Sequence, residues 1–205
     1  ASENVIAGPA MGRRATFQFG AALVPGQDGQ MGSGIGSAVA AGEITLIAPT
    51  DTITRTGEQR TIDGVLMEFQ MVPQTEAPAE LNVMFPERKA LVIGEIATCS
   101  LHNILTPRGA QVRDALAWAG YLTEAIRLYA DKTDTVAASH CWPHFGKNEV
   151  RNYLTLQRDN YKYLHDQTVR LMNKGLTQAE IAEALVPPPA LTSEWTNRGY
   201  YGIYN

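Results

Sequence analysis

The sequence predicts an α/β fold over residues 1–146 and an all-α segment over residues 147–205. Short β-branched runs between turn-forming residues predict strands within 43–93 and again near 136–139. A three- and four-residue apolar period predicts a helix over 109–132, between two of these strands, as in layered α/β domains. Beyond residue 146 the only period left is helical, which places the predicted boundary there.

The predicted strands are short, and turn residues such as Gly64, Pro73 and Pro86 separate them. Their apolar residues alternate imperfectly or run without interruption, as expected for strands buried on one or both faces. The predicted runs are Glu43–Ala48, Gln59–Ile62, Val65–Val72, Leu81–Phe85, Ala90–Ile93 and Val136–Ser139. Residues 21–42, rich in Gly, Ala and Ser, predict a long loop before them.

Three helices are predicted from apolar periodicity and from start and stop residues. The first covers Gly109–Lys132. A second follows Gly146 and is closed by Gly175. Thr177 to Glu180 has the spelling of a capping box and opens a third helix, which Pro187 stops.

Composition excludes several classes of protein. Hydrophobic residues make up 44% and charged residues 19%, close to globular averages. Lys and Arg total 17 against 21 Asp and Glu, and the basic residues are scattered, which argues against a nucleic-acid partner. No apolar run is long enough to span a bilayer. Cys99 and Cys141 fit neither a disulfide framework nor a metal spacing, so two free buried thiols are predicted.

Three possible metal ligands each follow a predicted strand. Glu76 lies in a turn after one strand, Glu95 comes directly after Gly94 at the end of another, and His140 ends the last. Rigid strand ends are where α/β enzymes usually place their chemistry, and oxygen with imidazole ligands suits zinc or another first-row divalent ion. Each residue alone is also compatible with a solvated charge or a structural histidine, so the prediction rests on the combination.

The order of these three motifs resembles the later half of the metallo-β-lactamase fold. Longer stretches resemble the bacterial alkyl sulfatases over nearly the whole chain. These stretches include E-N-V-I-A-G-P-A-M-G-R-R-A (3–15), T-E-A-P-A-E (75–80), L-H-N-I-L-T-P-R-G-A-Q-V-R-D-A (101–115), A-S-H-C-W-P (137–143), Q-R-D-N-Y-K-Y-L-H-D-Q-T (157–168) and R-G-Y-Y-G (198–202). The resemblance implies the second half of an αββα sandwich over 1–146 and the start of a helical dimerisation domain over 147–205.

The resemblance also implies hydrolysis of alkyl sulfate esters, dodecyl sulfate among them, at two zinc ions. Glu95 would bridge the ions, Glu76 would bind one of them and His140 the other, so that Glu95 and His140 are the predicted catalytic residues. Arg108 and Asn103 are the predicted sulfate-binding residues, because a guanidinium binds paired oxygens with two hydrogen bonds. Arg108 is also compatible with a surface arginine, and His102 is equally compatible with a donor to a metal ligand and with a structural histidine.

The chain also departs from the family pattern. Its four histidines do not form the family's His-x-His-x-Asp-His motif, so the chain is interpreted as an interior segment whose remaining ligands come from upstream. Two alternatives stay open: another ester or thioester hydrolase of the same fold, or a non-catalytic dimerisation module. A homodimer in the periplasm or outside the cell is implied by the resemblance alone. The segment by itself is predicted to be metal-poor and inactive.

Overall fold

The structure, a computed structural model, describes residues 23–24, 26–29, 45, 47–106 and 111–199. One compact unit consists of Ile53–Ile104 with Arg113–Asn205, and it contains every helix and strand given below. The other unit, Ala1–Thr52 with Leu105–Val112, has no helix or strand among its described residues. Half of the strand predicted at Glu43–Ala48 falls outside the described residues, and the three residues described there are not in a strand.

The described residues form a six-stranded sheet whose spatial order follows the chain. Its strands are β1 (Gln59–Ile62), β2 (Val65–Met71), β3 (Leu81–Phe85), β4 (Ala90–Val92), β5 (Thr135–Ala137) and β6 (His144–Phe145). All neighbouring pairs are antiparallel except β4 and β5, which are parallel. Four of the predicted strands thus match to within a residue at each end, and β6 was not predicted.

Two connections explain this arrangement. β1 and β2 are joined by Asp63-Gly64, which have φ angles of 51° and 78° and so favour a two-residue hairpin turn that matches strand twist. The parallel pair β4 and β5 requires a crossover, and a helix supplies it. Because of this alternation, the carboxyl ends of β2, β4 and β5 lie at the same edge of the sheet.

The crossover helix α1 covers Ala115–Tyr129, so the predicted start at Gly109 is wrong. Asp114 is the N-cap: its carboxylate accepts hydrogen bonds from the backbone N–H groups of Leu116 and Ala117, both at 2.9 Å. A capping side chain satisfies N–H groups that have no partner inside the helix. The described residues just before Asp114 are not helical, although their apolar pattern extends the helical period.

Three further helices follow β6: α2 (Lys147–Asn173), α3 (Gln178–Ala184) and α4 (Pro189–Thr192). Both predicted helices are confirmed, and α4 was not predicted. The capping box is confirmed as well, with Thr177 and Glu180 each hydrogen-bonded to the other's backbone. Short 3-10 turns cover Pro86–Arg88, Ala130–Lys132 and Trp195–Asn197. Among the described helices, none combines the length and the apolarity that crossing a bilayer requires.

One hydrophobic core includes residues from both sides of the predicted boundary at residue 146. Leu91 and Val136 contribute from the sheet, Trp118 from α1, and Leu154 and Tyr161 from α2, and all five are at most 1% exposed. The indole of Trp118 stacks on the ring of Tyr161, with centroids 4.5 Å apart. The α/β part and the start of the helical part therefore pack as one body, and their division into two domains stays a prediction.

The cysteine prediction was wrong, because Cys99 and Cys141 form a disulfide. Their Cα atoms lie 5.9 Å apart, although 42 positions separate them in the sequence. Cys99 is buried and Cys141 is exposed. The bond joins the loop that follows β4 to the loop that follows β5, since the two parallel strands bring these loops side by side.

Candidate metal centre

Glu76 lies in the turn between β2 and β3, and Arg113 holds it there. The Arg113 side chain, only 4% exposed, donates from Nη2 to Glu76 Oε1 at 2.9 Å and from Nε to the Glu76 carbonyl at 3.0 Å. A third bond runs from Nη1 to the carbonyl of Asn103 at 2.9 Å. The fork of the guanidinium therefore fixes both the backbone and the carboxylate of Glu76, which a lysine could not do.

Glu95 and His140 are brought together by the parallel strands that precede them. Beyond the strands, the backbone pairing continues: the Ile93 N–H donates to the Ala137 carbonyl and the Ser139 N–H donates to the Gly94 carbonyl, both at 2.9 Å. His140 follows Ser139 directly, and its Nε2 lies 3.3 Å from Glu95 Oε1. The structure thus places these two predicted ligands in contact.

His102 lies on the other oxygen of the same carboxylate, with its Nε2 3.1 Å from Glu95 Oε2. The residue is buried, and its Nδ1 lies 3.1 Å from the carbonyl oxygen of Asn103. Its backbone N–H donates to the hydroxyl of Tyr161 at 3.0 Å. One ring nitrogen of His102 thus contacts a backbone carbonyl and the other contacts the Glu95 carboxylate, so the ring is held between two acceptor oxygens.

Among the described residues, one group has the composition and spacing of a metal site: Glu76, Glu95 and His102. Each offers one ligand atom, and these atoms lie within 4.8 Å of one another. Two carboxylate oxygens and one imidazole nitrogen fit zinc, so the donor set passes this chemical test. His140 is outside this group and contacts Oε1 of Glu95, whereas His102 contacts Oε2.

The electrostatics of Glu95 agree with a ligand role. The hydrogen bond from His102 is the largest influence and holds the pKa of the Glu95 carboxyl below its usual value, while burial opposes this and the charge of His140 assists it. The carboxylate therefore stays ionised over a wider range of pH than a free glutamate. An ionised carboxylate between two imidazole rings is the form that binds a cation.

A third acid, Glu80, contacts the backbone beside the two candidate glutamate ligands and was not predicted as a site residue. Its Oε1 accepts a hydrogen bond from the Glu95 backbone N–H at 2.7 Å, and its Oε2 accepts one from the Ala77 N–H at 3.1 Å. Burial is the main cause that raises the pKa of Glu80, and the hydrogen bond from the Glu95 N–H opposes it.

The two predicted sulfate-binding residues are placed differently. The backbone of Asn103 lies at the site, because its carbonyl accepts the hydrogen bond from Arg113 and faces the ring of His102. Arg108 lies outside the described residues. Their role in sulfate binding stays a prediction.

Known proteins resemble this chain along nearly all of its length. A linear primary-alkylsulfatase from a Pseudomonas species is 48% identical over 204 residues, which are 100% of this chain and 30% of that protein. An (R)-specific secondary-alkylsulfatase from a Pseudomonas species is 44% identical over 203 residues, which are 98% of this chain and 31% of that protein. The sequence matches no protein-family model.

The fold agrees with a solved structure as well. A stereoselective inverting sec-alkylsulfatase from a Pseudomonas species superposes with a TM-score of 0.88 at 43% identity, over 98% of this chain and 32% of that one. This confirms the predicted fold class, an α/β segment followed by helices. The chain spans about 30% of the length of the relatives that it matches.

Proposed function

We propose that the chain belongs to the alkylsulfatases and that the complete protein hydrolyses alkyl sulfate esters to an alcohol and inorganic sulfate. The observation that carries the proposal is 48% identity to a linear primary-alkylsulfatase along the whole chain. The convergence of Glu76, Glu95 and His102 supports it, because a hydrolytic site needs a means of activating water.

The proposed cofactor is a pair of zinc ions. Glu76, Glu95 and His140 would hold them, with His102 on Glu95 and the remaining ligands supplied by an upstream segment. Bound zinc supplies Lewis acidity and lowers the pKa of water from about 15.7 to about 7. Arg113 keeps the Glu76 carboxylate in place, and His102 orients the carboxylate of Glu95.

Two groups are proposed to bind the sulfate head. Asn103 follows His102 directly, so it lies beside the candidate ligands. Arg108, five positions further on, would neutralise the charge of the ester with two parallel hydrogen bonds. In the overall reaction, water and the ester R–O–SO3⁻ yield the alcohol, sulfate and one proton.

We further assign residues 147–205 to the start of a dimerisation domain. Helix α2 exposes Val169 and Met172 near its carboxyl end, apolar side chains that a second copy could cover. The proposed interface belongs to a homodimer of the complete protein. The molar mass of the complete protein in solution tests this assignment.

The first test compares the complete protein with the isolated 205-residue chain. We expect the complete protein to release sulfate from dodecyl sulfate and to contain zinc, whereas the isolated chain releases none, since its few ligands cannot hold two ions. Sulfate release and elemental analysis provide the measurements. Turnover of thioesters or phosphoesters without turnover of alkyl sulfates would contradict the proposal, and so would a complete protein without metal.

A second prediction concerns Arg108 in the complete protein. Arg108→Ala should lower kcat/KM for dodecyl sulfate by about ten- to a hundredfold, because a charge-assisted hydrogen bond is worth roughly 1.5–3 kcal/mol. Arg108→Lys should lower it less, since lysine keeps the charge and loses the fork. Zinc content should not change. Near-normal kcat/KM in the alanine variant would show that Arg108 is a surface arginine that does not bind the sulfate.

A further inference from the structure

Glu80 lies at the end of the turn that carries Glu76, one residue before β3. Its carboxylate is partly buried and faces inward, between this turn and the loop that begins at Gly94. Each of its two oxygens accepts one backbone hydrogen bond, Oε1 from Glu95 and Oε2 from Ala77. One of these N–H groups belongs to Glu95, a candidate ligand. The other belongs to Ala77, which directly follows Glu76, a second candidate ligand.

Gly94 shows how closely the two loops approach each other. A Cβ atom at this position would lie 2.4 Å from Glu80 Oε1, closer than a Cβ atom comes to a non-bonded neighbour in real proteins. Gly94 also has a φ angle of 55°, which a glycine adopts without strain. The glycine before Glu95 is therefore explained by the carboxylate of Glu80 as well as by its own turn.

We propose that Glu80 is a positioning residue that fixes the backbones of Glu76 and Glu95 relative to each other, and thereby sets the separation of these two metal ligands. This inference rests on the proposed metal site. Without Glu80, the turn and the loop would each lose a backbone partner, and their carboxylates could separate. Glu80 contacts both segments, because one of its oxygens accepts a hydrogen bond from the Ala77 N–H and the other accepts one from the Glu95 N–H.

The matching substitution is Glu80→Gln, which keeps the size and shape of the side chain. The amide offers one acceptor oxygen, so one of the two N–H groups must face an NH2 group instead. Residues that support metal ligands typically change metal affinity by about ten- to a hundredfold when replaced. We expect zinc affinity of the complete protein to fall by that factor, while Glu87→Gln, an exposed glutamate at a 3-10 turn, leaves it unchanged.

A second pair of variants separates positioning from general strain. Gly94→Ala should lower zinc affinity in the same direction, because the new methyl group displaces Glu80 Oε1 from the Glu95 N–H. Gly64→Ala is its matched control: Gly64 has a φ angle of 78°, and nothing lies within 4 Å of a Cβ there. Both alanines strain the backbone, but only the one at position 94 collides with Glu80.

The experiment measures zinc binding by competition with a chelating dye, the visible spectrum of the cobalt-substituted protein, and thermal unfolding of each variant. The proposal requires weaker zinc binding and an altered cobalt spectrum in Glu80→Gln and Gly94→Ala, and neither change in the two controls. A purely structural role would lower the melting temperature without changing the cobalt spectrum. Metal affinity within about twofold of the wild type in Glu80→Gln would overturn the inference.

The failure of this inference differs from the failure of the proposed function. If the wild type binds zinc but does not hydrolyse alkyl sulfates, the function is wrong and the zinc measurements still decide the role of Glu80. If sulfate release is normal and Glu80→Gln binds zinc normally, the function stands and the inference falls. A wild-type protein that binds no zinc overturns both.

Discussion

Replacing Glu95 by glutamine is expected to remove nearly all alkyl sulfate hydrolysis from the complete protein. The carboxylate contacts His102 Nε2 through one oxygen and His140 Nε2 through the other. Glutamine has no charge and only one acceptor oxygen, so it cannot replace a carboxylate that serves two partners and a cation. Metal ions contribute several kcal/mol to such reactions, and each 1.36 kcal/mol is tenfold, so kcat should fall about a thousandfold or more.

The measurement is kcat on dodecyl sulfate together with zinc content by elemental analysis. Glu68→Gln is a suitable control, because Glu68 forms an ion pair with Lys132 on the face of the sheet, at 2.8 Å, and takes no part in the candidate site. The control should keep both its activity and its zinc. A Glu95→Gln variant that retains full zinc and more than about a tenth of the activity would contradict the assignment of Glu95 as a ligand.

Removing the Cys99–Cys141 disulfide should lower the free energy of unfolding by about 4 kcal/mol. The bond closes a loop that spans 42 positions, and the chain-entropy model gives this value for a loop of that length. The double variant Cys99→Ala/Cys141→Ala, with its unfolding followed in urea, tests the expectation. Both cysteines are replaced so that no free thiol remains to form other disulfides.

The wild-type protein under reducing conditions provides the control for this prediction. A dithiol should lower its urea midpoint to that of the double variant, and the same dithiol should leave the midpoint of the variant unchanged. If the wild type titrates as two free thiols before any reductant is added, the disulfide is absent in solution and the predicted loss disappears.

Most of the described fold followed from local patterns in the sequence. Gln59–Ile62 and Leu81–Phe85 match to the residue, because turn residues flank these runs and leave little choice of boundary. The start of α1 could not be predicted in the same way. Its apolar period continues upstream of Asp114, but the capping carboxylate and the use of Arg113 at the site end the helix there.

The candidate site was predictable only in part. Glu76 and Glu95 were identified because each follows a strand, and local sequence shows strand ends. The contacts of His102 with Glu95 and of Arg113 with Glu76 were not predicted, since they depend on how the loop after Glu95 folds against α2 and against the turn that carries Glu76. Glu80 can be seen in the sequence as the second acid of the E-A-P-A-E motif. Only the structure shows that its carboxylate accepts a hydrogen bond from the Glu95 N–H.

The contacts of Tyr161 have a consequence for building chimaeras between related enzymes. This residue belongs to α2, yet its hydroxyl accepts the backbone N–H of His102. The segment that follows the helices also returns to the same loop, where the Leu101 N–H donates to the Arg198 carbonyl at 2.7 Å. A splice at residue 146 would exchange supports of His102 together with the helices. In a chimaera, Tyr161 and residues 101–102 should therefore come from the same parent enzyme.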